Sequence, residues 1–169
     1  MSETSIGLIG LGTIGSIYAK HLIRAKKKLR VYDIDVEKVR IIESKGGRTT
    51  ESVKELAAIS DIVILALSDP PAVSHVLESS NGVIENARTG TLIIDLSTID
   101  PASCRRFYQL ANDRGMAYLD APVSGGESGG AGTDGAKAAN VSFMVGGDKD
   151  SFERAKPVMS ILGSRFFYL

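Results

Sequence analysis

The sequence predicts an α/β fold, a doubly wound, mostly parallel sheet with helices on both faces, and three observations carry the prediction. Apolar runs of strand length alternate with stretches of helical periodicity from one end of the chain to the other, which is how strands joined by crossover helices read. The longest apolar run, residues 62–67, carries no polar alternation, as expected of a strand buried on both faces. At 169 residues, 43 % apolar and 24 % charged, the chain can enclose a core without disulfides or metals, yet has no room for a second full domain.

Taken in order, residues 5–10 are the first expected strand and 13–26 a helix with Ile14, Ile17, Leu22 and Ile23 on its apolar face. A second strand follows at 29–33. Asp35 is placed to cap a helix running to Ser44, its carboxylate accepting from the free amides of the first turn, and Gly46 and Gly47 end that helix. A weak strand at 48–50 and a short helix at 51–59 lead to the buried strand 62–67. The second half repeats the pattern with helix 70–78, strand 91–96, helix 100–114 and strand 116–120. Residues 121–140, rich in Gly, Ala and Ser, read as a long loop of the kind that commonly carries function. A strand at 141–145, a helix at 148–162 with Pro157 as a kink point, and an apolar strand at 165–169 complete the chain.

Composition narrows the function. Equal numbers of basic and acidic residues leave no net charge, so the electrostatic footprint of general nucleic-acid or anionic-membrane binding is missing. No apolar run approaches the roughly 20 residues of a membrane-spanning helix, and the first five residues lack the basic start and apolar stretch of a signal peptide. Cys104, the single cysteine, reads as packing and fits a reducing compartment. The expected location is the cytoplasm, or the mitochondrial matrix if a transit peptide precedes the chain. No metal-ligand spacing is visible, and His21 and His75 occupy ordinary helical positions.

The turn after the first strand is the strongest motif. Gly10, Gly12 and Gly15, with Leu11, Thr13 and Ile14 between them, form G-x-G-x-x-G between a strand and a helix. Gly10 permits the tight turn, Gly12 admits a pyrophosphate to the backbone, and Gly15 lets the helix pack closely. The helix start then offers unpaired amides and a positive dipole end to the phosphates. Asp33 ends the second strand 18 residues after Gly15, where a carboxylate meets the adenosine ribose hydroxyls. The same charge repels a 2'-phosphate, and Ile34 and Asp35 follow it rather than an arginine. The combination predicts a Rossmann-type dinucleotide-binding domain that prefers NAD to NADP.

Four segments go beyond a generic domain of this type: Ile9-Gly-Leu-Gly-Thr-Ile-Gly-Ser-Ile-Tyr-Ala19, Leu67-Ser-Asp-Pro-Pro71, Asp95-Leu-Ser-Thr-Ile-Asp-Pro101 and Asp120-Ala-Pro-Val-Ser-Gly-Gly126. Together they resemble the β-hydroxyacid dehydrogenase family, which includes 3-hydroxyisobutyrate dehydrogenase and tartronate semialdehyde reductase, along essentially the whole chain. Ile14 and Tyr18 depart from it, standing where methionine is usual. The resemblance implies that Leu67 and Ser68 pass their backbone around the riboses and that Thr98 lies beside the nicotinamide. Ser97 and Thr98 also read as helix-capping or turn residues. It further implies that the Ser124 hydroxyl and the Gly125 and Gly126 amides hold the carboxylate of a small substrate, with glycine allowing close approach.

Two departures limit the transfer. Residues 127–143 exceed the family pattern by about six, the excess being Gly and Ala rich. The family's catalytic lysine follows the last strand, on a helix of an all-helical second domain through which relatives associate, whereas this sequence ends at Leu169. Neither Lys137 nor Lys156 matches that position, so no catalytic residue is assigned in this chain. Residues 1–169 are therefore expected to be the dinucleotide-binding domain alone, able to bind cofactor without useful turnover. A non-catalytic nucleotide-binding or interaction module, and an NADP-dependent semialdehyde or imine reductase of the same superfamily, stand as alternatives.

Overall fold

A computed structural model describes residues 3–125 and 133–169. The first half runs β1 (Ser5–Ile9), α1 (Thr13–Arg24), β2 (Lys28–Tyr32), α2 (Val36–Glu43), β3 (Arg48–Thr49), α3 (Val53–Ile59) and β4 (Ile62–Leu65). The second continues with α4 (Pro70–Glu78), α5 (Val83–Asn86), β5 (Leu92–Asp95), α6 (Pro101–Asp113) and β6 (Ala117–Asp120). Beyond these lie β7 (Val123–Ser124), α7 (Thr133–Lys137), β8 (Ser142–Val145), α8 (Lys149–Leu162) and β9 (Arg165–Tyr168). The first six strands form one parallel sheet in the order β3-β2-β1-β4-β5-β6. The order reverses between β1 and β4, so the crevice beyond their C-terminal ends is the switch point where such sheets bind ligands.

Strand alternation divides the interior into two cores. Ile6 and Leu8 of β1, Ile62 and Ile64 of β4 and Ile94 of β5 face α1, α2 and α8. The intervening Ile9, Val63, Leu65 and Ile93 face α3, α4, α5 and α6, where Phe107 of α6 packs against Tyr118 with ring centroids 6.2 Å apart. Because successive side chains of a strand point to opposite faces, a run without polar residues can fill both cores at once.

Short polar residues start several helices, as was expected of Asp35. Asp35 accepts from the Glu37 amide at 3.0 Å, Asp69 from Ala72 at 2.9 Å and Asp100 from Ser103 at 2.9 Å. At α3, Ser52 accepts from the Glu55 amide at 3.1 Å while the Glu55 side chain accepts from the amide of Glu51, one residue before the cap, at 2.9 Å. α1 differs: it begins at Gly12 with no side-chain cap. α8 continues through Pro157 as one helix.

The expectation of a loop over 121–140 is corrected at both ends. Val123 and Ser124 pair antiparallel with Phe143 and Ser142, and β8 pairs in parallel with β9, giving a separate sheet of order β7-β8-β9. α7 forms where Ala136 is buried against the main core, and its carbonyl bonds to His21 Nε2 at 2.8 Å. Small residues that read as flexible in isolation are here the ones that fit a close contact with α1. The small sheet joins the large one through the Asp120–Gly146 bridge, and Phe143, stacked on Phe166 at 5.5 Å, belongs to the same core as Ile6 and Leu8. Among the described residues no helix is long and apolar enough to cross a membrane.

Tyr18, where the resembling family has methionine, is 0 % exposed, and its hydroxyl finds no hydrogen-bond partner among the described residues. Burial accordingly pushes its phenol well above the ordinary tyrosine range. A buried, unpaired hydroxyl costs free energy that a ring of the same shape avoids. Tyr18→Phe is therefore expected to stabilise the chain by about 1 kcal/mol, read from the urea unfolding midpoint at constant slope.

Candidate cofactor site

The glycine turn adopts the geometry that its residues allow. Gly10 has φ +96°, and a Cβ there would run into the Ala66 carbonyl at the end of β4. A Cβ on Gly15 would collide with the Gly10 carbonyl oxygen, so α1 can approach the turn this closely only with glycine. Gly12 is different in kind, since a Cβ on it would meet nothing within 4 Å. The missing side chain at Gly12 leaves space on the side from which a ligand would approach.

Asp33 ties this turn to the next. Its Oδ2 accepts from the Leu11 amide at 2.6 Å and its Oδ1 from the Asp35 amide at 2.8 Å. An ionised carboxylate has about four acceptor positions, so two remain for ribose hydroxyls. Gly10, Gly12, Asp33, Leu67 and Ser68 line a single cleft of about 500 Å³ at the switch point. An adjoining cleft of about 420 Å³ is lined by Leu11, Gly12, Thr13, Ser16 and Lys20, and Lys38 borders both. Ile14 is partly buried against the core, so its contribution to a ligand would be through the backbone. The residues fit a dinucleotide: glycine turn and uncapped helix start for the pyrophosphate, Asp33 for a ribose, and apolar walls for a base.

Those walls come from residues that the sequence did not single out for this site. Ile34, Pro71, His75 and Val76 line the same cleft, and Ile34 is 88 % exposed, an apolar surface suited to the flat face of a base. The signal was available for Ile34, an isoleucine immediately after Asp33. For His75 and Val76 it was masked, because their positions on α4 look like ordinary helix periodicity.

The substrate-side residues lie elsewhere. Thr98 is exposed in the turn between β5 and α6 and lines neither cleft, while Ser124 is exposed at the end of β7 with Gly125 next to it. Gly126 lies outside the described residues. Ser97 does not cap α6, a role taken by Asp100; its hydroxyl instead accepts from the Leu67 amide at 3.1 Å. A third cleft of about 570 Å³, unforeseen from the sequence, opens between α6 and the end of β6 and is lined by Cys104, Tyr108, Asp120 and Gly146. Burial, then Asp120, push the Cys104 thiol up to about 12, so it stays neutral and is no nucleophile at ordinary pH. Lys156 pairs with Glu153 at 2.7 Å and lies over the Phe152 ring, which suits a solvated helix lysine. Lys137 lies 3.7 Å from Asp134.

Fold and cleft together define a dinucleotide-binding domain of the Rossmann class. The family described as the NAD binding domain of 6-phosphogluconate dehydrogenase matches residues 5–169, and the chain belongs to that family. Its relatives include the 2-hydroxy-3-oxopropionate reductase of Escherichia coli, 39 % identical over 94 % of this chain and 52 % of the relative. The human mitochondrial 3-hydroxyisobutyrate dehydrogenase is 32 % identical over 99 % of this chain and 48 % of its own length. Among solved structures, a Mycobacterium tuberculosis 3-hydroxyisobutyrate dehydrogenase determined with L-serine superimposes with a TM-score of 0.88 at 33 % identity, over 99 % of this chain and 54 % of that one. The resemblance to β-hydroxyacid dehydrogenases is thereby confirmed, and the chain spans about half the length of the curated relatives it matches.

The glycines make separable predictions. Gly15→Ala forces α1 off the turn and is expected to cost about 2 kcal/mol or more. Gly12→Ala, with open space around it, should cost less than about 1 kcal/mol. Thermal unfolding of the two variants beside the parent chain checks the difference.

Proposed function

We propose that this chain is the cofactor half of an NAD-dependent β-hydroxyacid dehydrogenase. The observation that carries the reading is the switch-point cleft, where Gly10, Gly12 and Asp33 meet Leu67 and Ser68, in a chain whose relatives are named as hydroxyacid dehydrogenases and reductases. Bound NAD would supply the hydride acceptor for a substrate C–H, the chemistry belonging to the nicotinamide. The chain's own residues bind and orient: Gly12 and the start of α1 receive the pyrophosphate, Asp33 the adenosine ribose, and Leu67, Ser68 and Thr98 the segment toward the nicotinamide. Ser124, Gly125 and Gly126 are the proposed holders of the substrate carboxylate.

Proton removal from the substrate hydroxyl is assigned to a lysine outside residues 1–169, by the resemblance, in a helical domain through which the intact protein would also associate. On this reading the 169-residue chain binds NAD and does not turn substrate over. A particular observation favours a second reading, NADP dependence. Lys38 borders both clefts and is paired with Asp35 only loosely, at 3.6 Å, so its ammonium is available to a 2'-phosphate. An imine reductase from Myxococcus stipitatus in complex with NADP+ shares the fold at 22 % identity. Against it stands the Asp33 carboxylate, which repels the same phosphate.

Calorimetric titration of the chain with NAD and with NADP decides between the readings. NAD is expected to bind at least about tenfold more tightly, and Gly12→Ala to weaken it without unfolding the chain. Tighter binding of NADP, abolished by Lys38→Ala, would establish the second reading. Reduction of NAD by the isolated chain with β-hydroxyacids at ordinary dehydrogenase rates would refute the division of labour between the two halves.

A further inference from the structure

Asp95, the last residue of β5, is 0 % exposed and has no part in the functions above. A carboxylate withdrawn from water is costly unless several donors hold it. Its Oδ1 accepts from the Ser97 amide and its Oδ2 from the Tyr118 hydroxyl, each at 2.9 Å. The Ser97 hydroxyl faces the same carboxylate and helps to hold its charge. Its oxygen accepts from the Leu67 amide, 3.1 Å away, which leaves its proton free to point at Asp95. Leu67 and Ser68 are the cofactor-cleft wall that follows β4. A continuous hydrogen-bonded path therefore runs from β6 through Asp95 and Ser97 to the backbone of that wall.

We propose that Asp95 is a positioning residue for the cofactor site: its carboxylate orients the Ser97 hydroxyl, which fixes the Leu67–Ser68 turn in the shape that receives the dinucleotide. The proposal rests on the reading of the cleft as an NAD site. A carboxylate offers acceptors only, which matches the three donors around it. Protonation takes up the one acceptor position that the three donors leave and turns charge-assisted hydrogen bonds into weaker neutral ones. The turn is thus held best when Asp95 is ionised.

The surroundings place that ionisation within reach. Burial pushes the Asp95 carboxyl up to about 6, and Asp120 on β6 adds to the rise, while Ser97 and Tyr118 oppose it. Cys104 of α6, beside Asp120 on the same cleft, keeps its proton over this range, as does the Tyr118 phenol, which is also raised by burial. Asp69, at the far side of the same turn, is exposed and held low by the Ser68 hydroxyl and the Ala72 amide, so it stays charged. The folded-state value of Asp95 lies above the ordinary 3.8, so the folded chain holds this proton more tightly than the unfolded chain. Stability from this group is full below the ordinary value and is lost as pH rises through about 6. The charge is kept at a cost in stability, which fits a residue retained for positioning.

Heteronuclear NMR of the chain without cofactor, between about pH 5 and pH 8, tests the path directly. The Leu67 and Ser97 amide shifts are expected to titrate together with a midpoint near 6, and Asp95→Asn to abolish the titration. Ser97→Ala, which leaves Asp95 in place, should keep the titration at residue 97 and remove it at Leu67. In parallel, calorimetry should show NAD affinity falling about tenfold from the upper to the lower end of the range in the parent chain, and weak, pH-independent affinity in Asp95→Asn. A Leu67 amide insensitive to pH, or parental NAD affinity in both variants throughout, overturns the proposal. Absence of NAD binding by the parent chain at every pH would instead sink the cofactor reading, with the amide titration still reporting on the path itself.

Discussion

The contact between Gly15 and the carbonyl of Gly10 sets the position of α1 and, through it, the shape of the cofactor cleft. With no Cβ in the way, α1 packs against the turn that precedes it, and its first amides are delivered to the end of the sheet instead of being sealed by a side chain. That placement sets the floor of the cleft. Asp33 then fixes the turn from the neighbouring strand through the Leu11 amide, and the end of β4 closes the opposite side, with Ala66 so near Gly10 that only glycine fits there. One close approach, made possible by two residues without side chains, therefore positions the glycine turn, Asp33 and the end of β4 together.

The fold was legible where local chemistry decides it. Asp35, Ser52, Asp69 and Asp100 each announce a helix by a short polar side chain, and the fully apolar strands show that both faces are covered. Legibility failed where distant partners decide. α5 is a single turn with no room for a period to show, and α7 exists because Ala136 fits against α1, a fact of tertiary contact. Residues 141–145 and 165–169 read correctly as strands, but periodicity says nothing about which strand lies alongside, so their separation into a second sheet could not be foreseen.

The site divides in the same way. The turn glycines and Asp33 are recognisable because their spacing is itself the requirement. His75 and Val76 belong to the cleft through orientation, and Asp95 is set behind it by burial, neither of which leaves a mark in a linear pattern. Two acidic residues face one another at the ends of β5 and β6, where Asp95 and Asp120 are register partners, and burial raises both. Their distinct bonds separate them: Asp95 is turned toward Ser97 and the cofactor wall, and Asp120 toward Cys104 and the cleft beside α6.

The bridge at Asp120–Gly146 gives the molecule a seam. The large sheet carries the whole glycine turn and its surroundings, whereas Ser124 belongs to the small sheet, which has its own aromatic stack and continues no ladder of the large one. Phe143 and Val145 nevertheless fill the same core as Ile6 and Leu8, so the seam interrupts backbone pairing and not packing. Two sheets that share one apolar interior are thus left without a common ladder, and the break falls beside the Gly- and Ala-rich segment 127–143.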